Sequence, residues 1–213
     1  MSTVTHTSDA KHRGQHAAGE TPVDRDGRPL PKRWTRAEYY AAAEAGAFRD
    51  QRVELIEGQV LMMSPQSPDH TKGVELVRRA LESTFGKDYW LRTQSPMRHS
   101  DDTEAEPGVL VIEGDPRDID EHPTSGLLAV EVSKSTVRFD RGEKANLYAA
   151  AGNQEYWVVN LVDRQLEVFR EPTADSSARF GHRYAKSFVR KAKQTIAPLA
   201  KPDGEIRVAD LLP

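Results

Sequence analysis

The chain has 213 residues, with 30 Lys and Arg against 33 Asp and Glu, a net charge of −3 and no cysteine. That composition excludes disulfides and cysteine-bound zinc, and it carries no overall basic signature, so any nucleic-acid surface must be local. The hydrophobic share of 37% suffices for one buried core, and no run approaches the ~20 apolar residues of a membrane span. The stretch from Met1 to Gln15 has no apolar core of a secretory signal, and the lack of cysteine fits a cytoplasmic setting.

Residues 1–30 are rich in Ser, Thr, His, Gly, Asp and Pro and nearly free of large apolar side chains. Such a segment cannot offset its ordering entropy by burial, so a disordered leader is expected, followed by a single domain over 31–213. His6, His12 and His16 belong to that solvated leader.

Order is expected from Trp34. Thr35-Arg36-Ala37-Glu38 reads as a capping box opening a helix that stops near Gly46. The alternation Arg52-Val53-Glu54-Leu55-Ile56 predicts a half-buried strand, Glu57-Gly58 a turn, and Gln59 to Ser64 the returning strand of a hairpin. A helix follows over Asp69–Phe85, with Val74, Val77, Leu81 and Phe85 on one face. Tyr89–Gln94 reads as a strand, Asp101–Glu106 as an acidic loop, Val109–Glu113 as a short apolar strand and Gly114–Gly126 as a polar loop. Leu127–Ser133 is the most clearly buried strand. A helix over Asp140–Ala151 ends at Gly152-Asn153, and strands follow over Glu155–Asn160, Gln165–Arg170 and Arg183–Lys191, with a short closing helix near Val208–Leu212. Interleaved helices, hairpins and crossovers predict an α/β fold of mixed α+β character, a mixed sheet with helices packed on it.

The chemistry on offer is acidic. There is no Gly-rich phosphate loop, no Gly-x-Ser-x-Gly elbow and no His-Glu-x-x-His. Glu131 stands in an apolar run, where an unpaired carboxylate costs several kcal/mol. Either a divalent metal with a nearby lysine compensates it, or it sits at the strand end beside an Arg or Lys. Asp140 and Lys144 are four apart on a helix, which by itself reads as a surface ion pair of small worth.

The run Val130-Glu131-Val132-Ser133-Lys134-Ser135-Thr136, then Asp140-Arg141-Gly142-Glu143-Lys144, Tyr148, Gly152 and Glu155-Tyr156-Trp157-Val158-Val159 resembles the Uma2 family, also called DUF820. Val53-Glu54-Leu55-Ile56-Glu57-Gly58, Met63-Ser64-Pro65 and His70 match its pattern upstream. The resemblance covers roughly residues 34–170, with Val208-Ala209-Asp210-Leu211-Leu212 beyond it. It implies the restriction-endonuclease-like PD-(D/E)XK fold, with the strands Val109–Glu113 and Leu127–Ser133 as central neighbours. It also implies hydrolysis of DNA phosphodiesters with Mg²⁺ or Mn²⁺. Glu131 would be a metal ligand and catalytic group, Lys144 would place or deprotonate water or neutralise developing charge, and Glu54 would be a second acidic contributor. These three side chains should share one cleft. His70 and Tyr148 are weaker candidates, with helix-start or packing roles as the alternative.

Two departures from the family pattern matter. Its Pro-Asp aspartate falls on Pro107-Gly108, which supplies no ligand atom and marks a degenerate position; Glu106 or Glu104 is the candidate substitute. Lys134 stands where proline is usual, as an added cation or a solvated loop residue. Two functions follow: an endonuclease impaired at Gly108, or a catalytically inactive DNA- or protein-binding module on the same fold. DNA is the expected partner, a homodimer is left open and no membrane association is expected. Arg78, Arg79, Arg92, Arg98, Lys134, Arg138 and Arg141 are the basic residues available to a phosphate backbone.

Overall fold

The computed structural model describes residues 22–213. Most of the expected leader, including its three histidines, lies outside the described residues. The chain divides between Lys32 and Arg33. Ahead of that division, Val23 bridges Pro29 around a turn in which Asp24 Oδ1 accepts the N–H groups of Asp26 and Arg28.

Past the division, helix α1 spans Arg36–Glu44 and opens with the expected capping box, Thr35 and Glu38 each accepting the other's backbone N–H. Strands β1 (Val53–Ile56) and β2 (Gln59–Met62) form the expected hairpin. Its turn residues Glu57 and Gly58 have φ of 48° and 70°. A side chain on Gly58 would also strike Arg33 Cβ at 2.7 Å, so glycine is required there. Helix α2 spans Pro68–Phe85, capped by Ser67 and stopped at Gly86, and buries the expected stripe Val74, Val77, Leu81 and Phe85. Strand β3 is Tyr89–Thr93.

The acidic segment near residue 101 departs from expectation. It folds back as a hairpin of β4 (Met97–Ser100) and β5 (Thr103–Ala105) rather than as a loop. Charged Glu104 tolerates burial in β5 because Arg36 Nε donates to it at 2.9 Å and Tyr40 Oη at 2.5 Å. Strands β6 (Val109–Glu113) and β7 (Leu128–Ser133) follow, then a short helix α3 (Val137–Phe139), a π-turn over Asp140–Lys144 and helix α4 (Ala145–Ala150). Strands β8 (Glu155–Asn160), β9 (Gln165–Ala174), β10 (His182–Lys191), β11 (Thr195–Ile196) and β12 (Ile206–Arg207) complete the chain, with a 3₁₀ turn at Val208–Leu211.

The expected mixed sheet is present, and it is accompanied by a second sheet and a separate strand pair. Six strands make one sheet in the order β10-β9-β8-β7-β6-β3, four make a second in the order β2-β1-β5-β4, and β11 and β12 pair alone. In the large sheet β6 and β7 are antiparallel neighbours, as expected, and β7 and β8 are parallel. A parallel pair needs a crossover, and α3, the π-turn and α4 supply it. The alternation of side chains sorts the sheet's two faces. Val109, Val111, Val130 and Val132 face α2 and the C-terminal turn; Leu110, Ala129, Tyr156 and Val158 face α4. The small sheet packs Ile56 and Ala105 against Leu147 of α4. Helix α4 therefore lies between the two sheets, and polar groups from both can meet on it.

Candidate active site

Glu131 is the residue of β7 level with Gly108, on the face turned to α4. It is 6% exposed, so its charge depends on protein partners. Oε1 accepts from Lys144 Nζ at 2.9 Å and from Tyr148 Oη at 2.8 Å, while Oε2 accepts from the Gly108 backbone N–H at 3.2 Å. Lys144 also donates to Glu54 Oε1 at 3.0 Å. The other oxygen, Glu54 Oε2, lies 3.0 Å from the same ammonium, an ion pair without hydrogen-bond geometry. The structure thus brings together Glu54 from the small sheet, Glu131 from the large sheet and Lys144 from the helix between them.

Local geometry explains why Lys144 points inward. The N–H of Ala145 bonds to the carbonyl of Asp140, five residues back, so the turn is wider than an α-turn. Asp140 and Lys144 are 3% and 2% exposed, so they are not the surface pair that their spacing suggested. The Asp140 carboxylate instead accepts from Thr136 Oγ1 at 2.7 Å.

The cluster holds more carboxylates than cations. Burial drives the Asp140 and Glu106 carboxyls above their usual range, and neighbouring carboxylates (Glu131 for Asp140, Glu54 for Glu106) add to it. Burial acts on Lys144 in the opposite sense, but Glu131, Glu54 and Asp140 outweigh it and hold the ammonium charged well above its ordinary value. Lys144 therefore stands here as an ammonium between the two carboxylates. Burial, then the Glu131 charge, keeps the Tyr148 hydroxyl protonated as a donor.

The other candidates sort by their partners. Glu104 is committed to Arg36 and Tyr40. Glu106 lies 3.8 Å from Arg52 and makes no hydrogen bond to the cluster. His70 stands in the first turn of α2, where its N–H meets the Ser67 cap, as a helix-start role requires. Lys134 pairs with Asp69 at 3.0 Å on the surface, consistent with the solvated-loop alternative. Tyr148 emerges as a direct partner of Glu131, whereas the sequence left it between site and packing.

Glu54 and Glu131 fit a hard divalent cation. They are two hard oxygen donors that converge on Lys144 Nζ, and the surroundings carry surplus negative charge. Mg²⁺ is commonly held by one or two carboxylates with waters and substrate phosphates. Among the described residues no group of three or more His, Asp or Glu converges as a metal site, so the protein alone offers no closed cage.

The mixed sheet with helices packed on it is a restriction-endonuclease-like α/β fold. A model of the Uma2 family, described as "Putative restriction endonuclease", matches residues 36–199, and the chain belongs to that family. Its fold is similar to a crystal structure of a "putative nuclease belonging to DUF820" from Anabaena variabilis, with a TM-score of 0.65 and 11% identity over 84% of this chain and 97% of that one. No curated protein matches the sequence. Among the described residues no helix is long and apolar enough to cross a membrane.

Proposed function

We propose that the chain is a metal-dependent DNA endonuclease whose activity is impaired at Gly108. The observation that carries this reading is the meeting of Glu54, Glu131 and Lys144 in one buried cluster beside the Gly108 strand end. Mg²⁺ or Mn²⁺ held by Glu54 and Glu131 would supply Lewis-acid charge and an acidified water. The chain's own groups do the rest. Lys144 presents a permanent ammonium that neutralises charge growing on the scissile phosphate. Tyr148 and the Gly108 N–H fix the Glu131 carboxylate from two sides, so it need not reorganise during reaction. Gly108 leaves the site one carboxylate short of the family pattern, which lowers metal affinity. The cysteine-free composition supports a cytoplasmic setting, where the partner is DNA.

A plasmid-nicking assay with Mg²⁺ and with Mn²⁺ tests the reading. Weak, metal-dependent nicking by the wild type that disappears in Glu131→Ala is expected. Nicking that survives in Glu131→Ala, or needs no metal, would overturn it.

One observation favours the alternative, a catalytically inactive DNA- or protein-binding module on the same fold. Both Glu131 oxygens are already held by donors of the chain. Calorimetric titration separates the two, because an inactive module takes up no Mg²⁺ or Mn²⁺ that Glu131→Gln abolishes.

A further inference from the structure

Most basic residues available to DNA are neutralised within the chain. Arg78 and Arg79 pair with Glu75, Arg98 with Glu121, Lys134 with Asp69 and Arg141 with Glu167. Arg92 and Arg138 have no such pair among the described residues, and of the two Arg138 is exposed to solvent whereas Arg92 is buried. It lies in β3, and its residue is only 6% exposed. Among the described residues its Nε and Nη1 are buried without a hydrogen-bond partner and it makes no ion pair. Nη2 meets His122 Nδ1 at 3.0 Å, and the guanidinium stands 5.0 Å from the centre of the Trp90 ring. A guanidinium does not lose its proton in proteins, so this charge persists in the interior. Glu104, the buried carboxylate whose charge acts on Arg92, is occupied by Arg36 and Tyr40.

Arg92 lines a cavity of about 430 Å³ whose walls include Arg36, Trp90, Arg98 and His122. Two acids also line it: Glu121, 3.1 Å from Arg98, and Asp120, which makes no ion pair with Arg92. The strand register places this cavity relative to the cluster. Arg92 is paired with Leu110, and Leu110 with Ala129, so all three share the face of Glu131, which lies two residues beyond Ala129. Two strand spacings separate β3 from β7, about 10 Å across the sheet.

We infer that the Arg92 cavity binds a phosphate group, the backbone phosphate of a DNA strand that passes over Glu131. This rests on the proposed nuclease reading for the identity of the ligand and not for the existence of the site. A buried, uncompensated guanidinium is costly to the free protein, and an anion that completes it recovers that cost on binding. The Trp90 ring lends the site an aromatic surface beside the charge, a combination suited to a nucleotide. Asp120 opposes the anion, which keeps the binding weak and sensitive to salt.

The test uses the full chain in EDTA, in a buffer free of phosphate and sulfate, with inorganic phosphate and a short DNA duplex as separate probes. The Arg92 Nε–H resonance is followed by NMR through each titration, and affinities are taken by calorimetry. At least one probe moves the resonance, and Arg92→Met weakens that probe roughly tenfold. For DNA, Arg92→Met also flattens the salt dependence by about one unit of slope. Movement with DNA alone assigns a backbone phosphate, and movement with both assigns any accessible phosphate; either result upholds the site. A resonance that moves with neither probe, or equal binding by Arg92→Met and wild type, overturns it. If Arg92→Met fails to fold, the wild-type NMR titration decides alone. Because EDTA removes divalent ions, failure of the cleavage reading leaves this result standing.

Discussion

Replacing Gly108 tests the active site and the strand together. Gly108 lies opposite Glu131, and a Cβ built there meets the Val130 carbonyl oxygen at 3.0 Å and Glu131 Cα at 3.7 Å. The neighbouring atom belongs to the backbone of a buried strand, so it yields only by a few tenths of an ångström. Overpacking of that kind costs typically ~1–3 kcal/mol, while losing a glycine from the unfolded chain returns ~0.4–1 kcal/mol. Gly108→Ala should therefore lose roughly 1 kcal/mol in urea denaturation. The gain in strand order expected of a side chain at this position is outweighed by that contact. Gly108→Asp bears the same contact and adds a carboxylate to a cluster where Glu54 and Glu131 already share Lys144. Without metal it should be less stable than Gly108→Ala. With Mg²⁺ the order should reverse, because a ligand at a hundred times its Kd stabilises by about 2.7 kcal/mol. Nicking by Gly108→Asp should exceed wild type by on the order of tenfold or more, since misplacing a reacting centre by ~1 Å costs about a hundredfold. If Mg²⁺ stabilises Gly108→Asp no more than Gly108→Ala and nicking does not rise, the reasoning fails.

Lys144→Met should lose about 3–5 kcal/mol at neutral pH by leaving Glu54 and Glu131 buried without their cation. Burial already raises the Glu131 carboxyl against the pull of Lys144, and losing that pull raises it further; the penalty grows as pH rises and shrinks as pH falls, so the deficit against wild type should narrow toward pH ~4; a deficit independent of pH would refute this. Tyr148→Phe removes one donor to Glu131 at 2.8 Å and should cost about 1.5–3 kcal/mol in urea denaturation, with no loss of fold by circular dichroism. Burial holds the His99 imidazole below its usual pKa, against the opposing pull of Asp102. The unfolded chain then binds its proton more readily, so stability is full above pH ~6.5 and falls as pH drops below it. His99→Phe should flatten the thermal-melting profile between pH 7 and 5.5, and an unchanged profile would assign that dependence elsewhere.

Local pattern carried much of this molecule. The Thr35–Glu38 box, the Glu57-Gly58 turn, the stripe of α2 and the strands β6 and β8 follow from caps, turn chemistry and periodicity, which act within a few residues. Ordered motifs around Glu54, Glu131 and Lys144 carried the family and named the residues that meet. Tertiary structure decided the rest. The split into two sheets placed Glu54 opposite Glu131 rather than beside it, and no local period encodes which strands share a sheet. The β4–β5 hairpin was hidden because Glu104 reads as solvated until Arg36 and Tyr40, far away in sequence, neutralise it. The π-turn turned Asp140 and Lys144 from an expected surface pair into buried neighbours, a shift of one hydrogen-bond register that residue spacing cannot reveal. Arg92 was one basic residue among many in the sequence. Only packing shows it buried and unpaired, because compensation of charge depends on which groups the fold brings within reach.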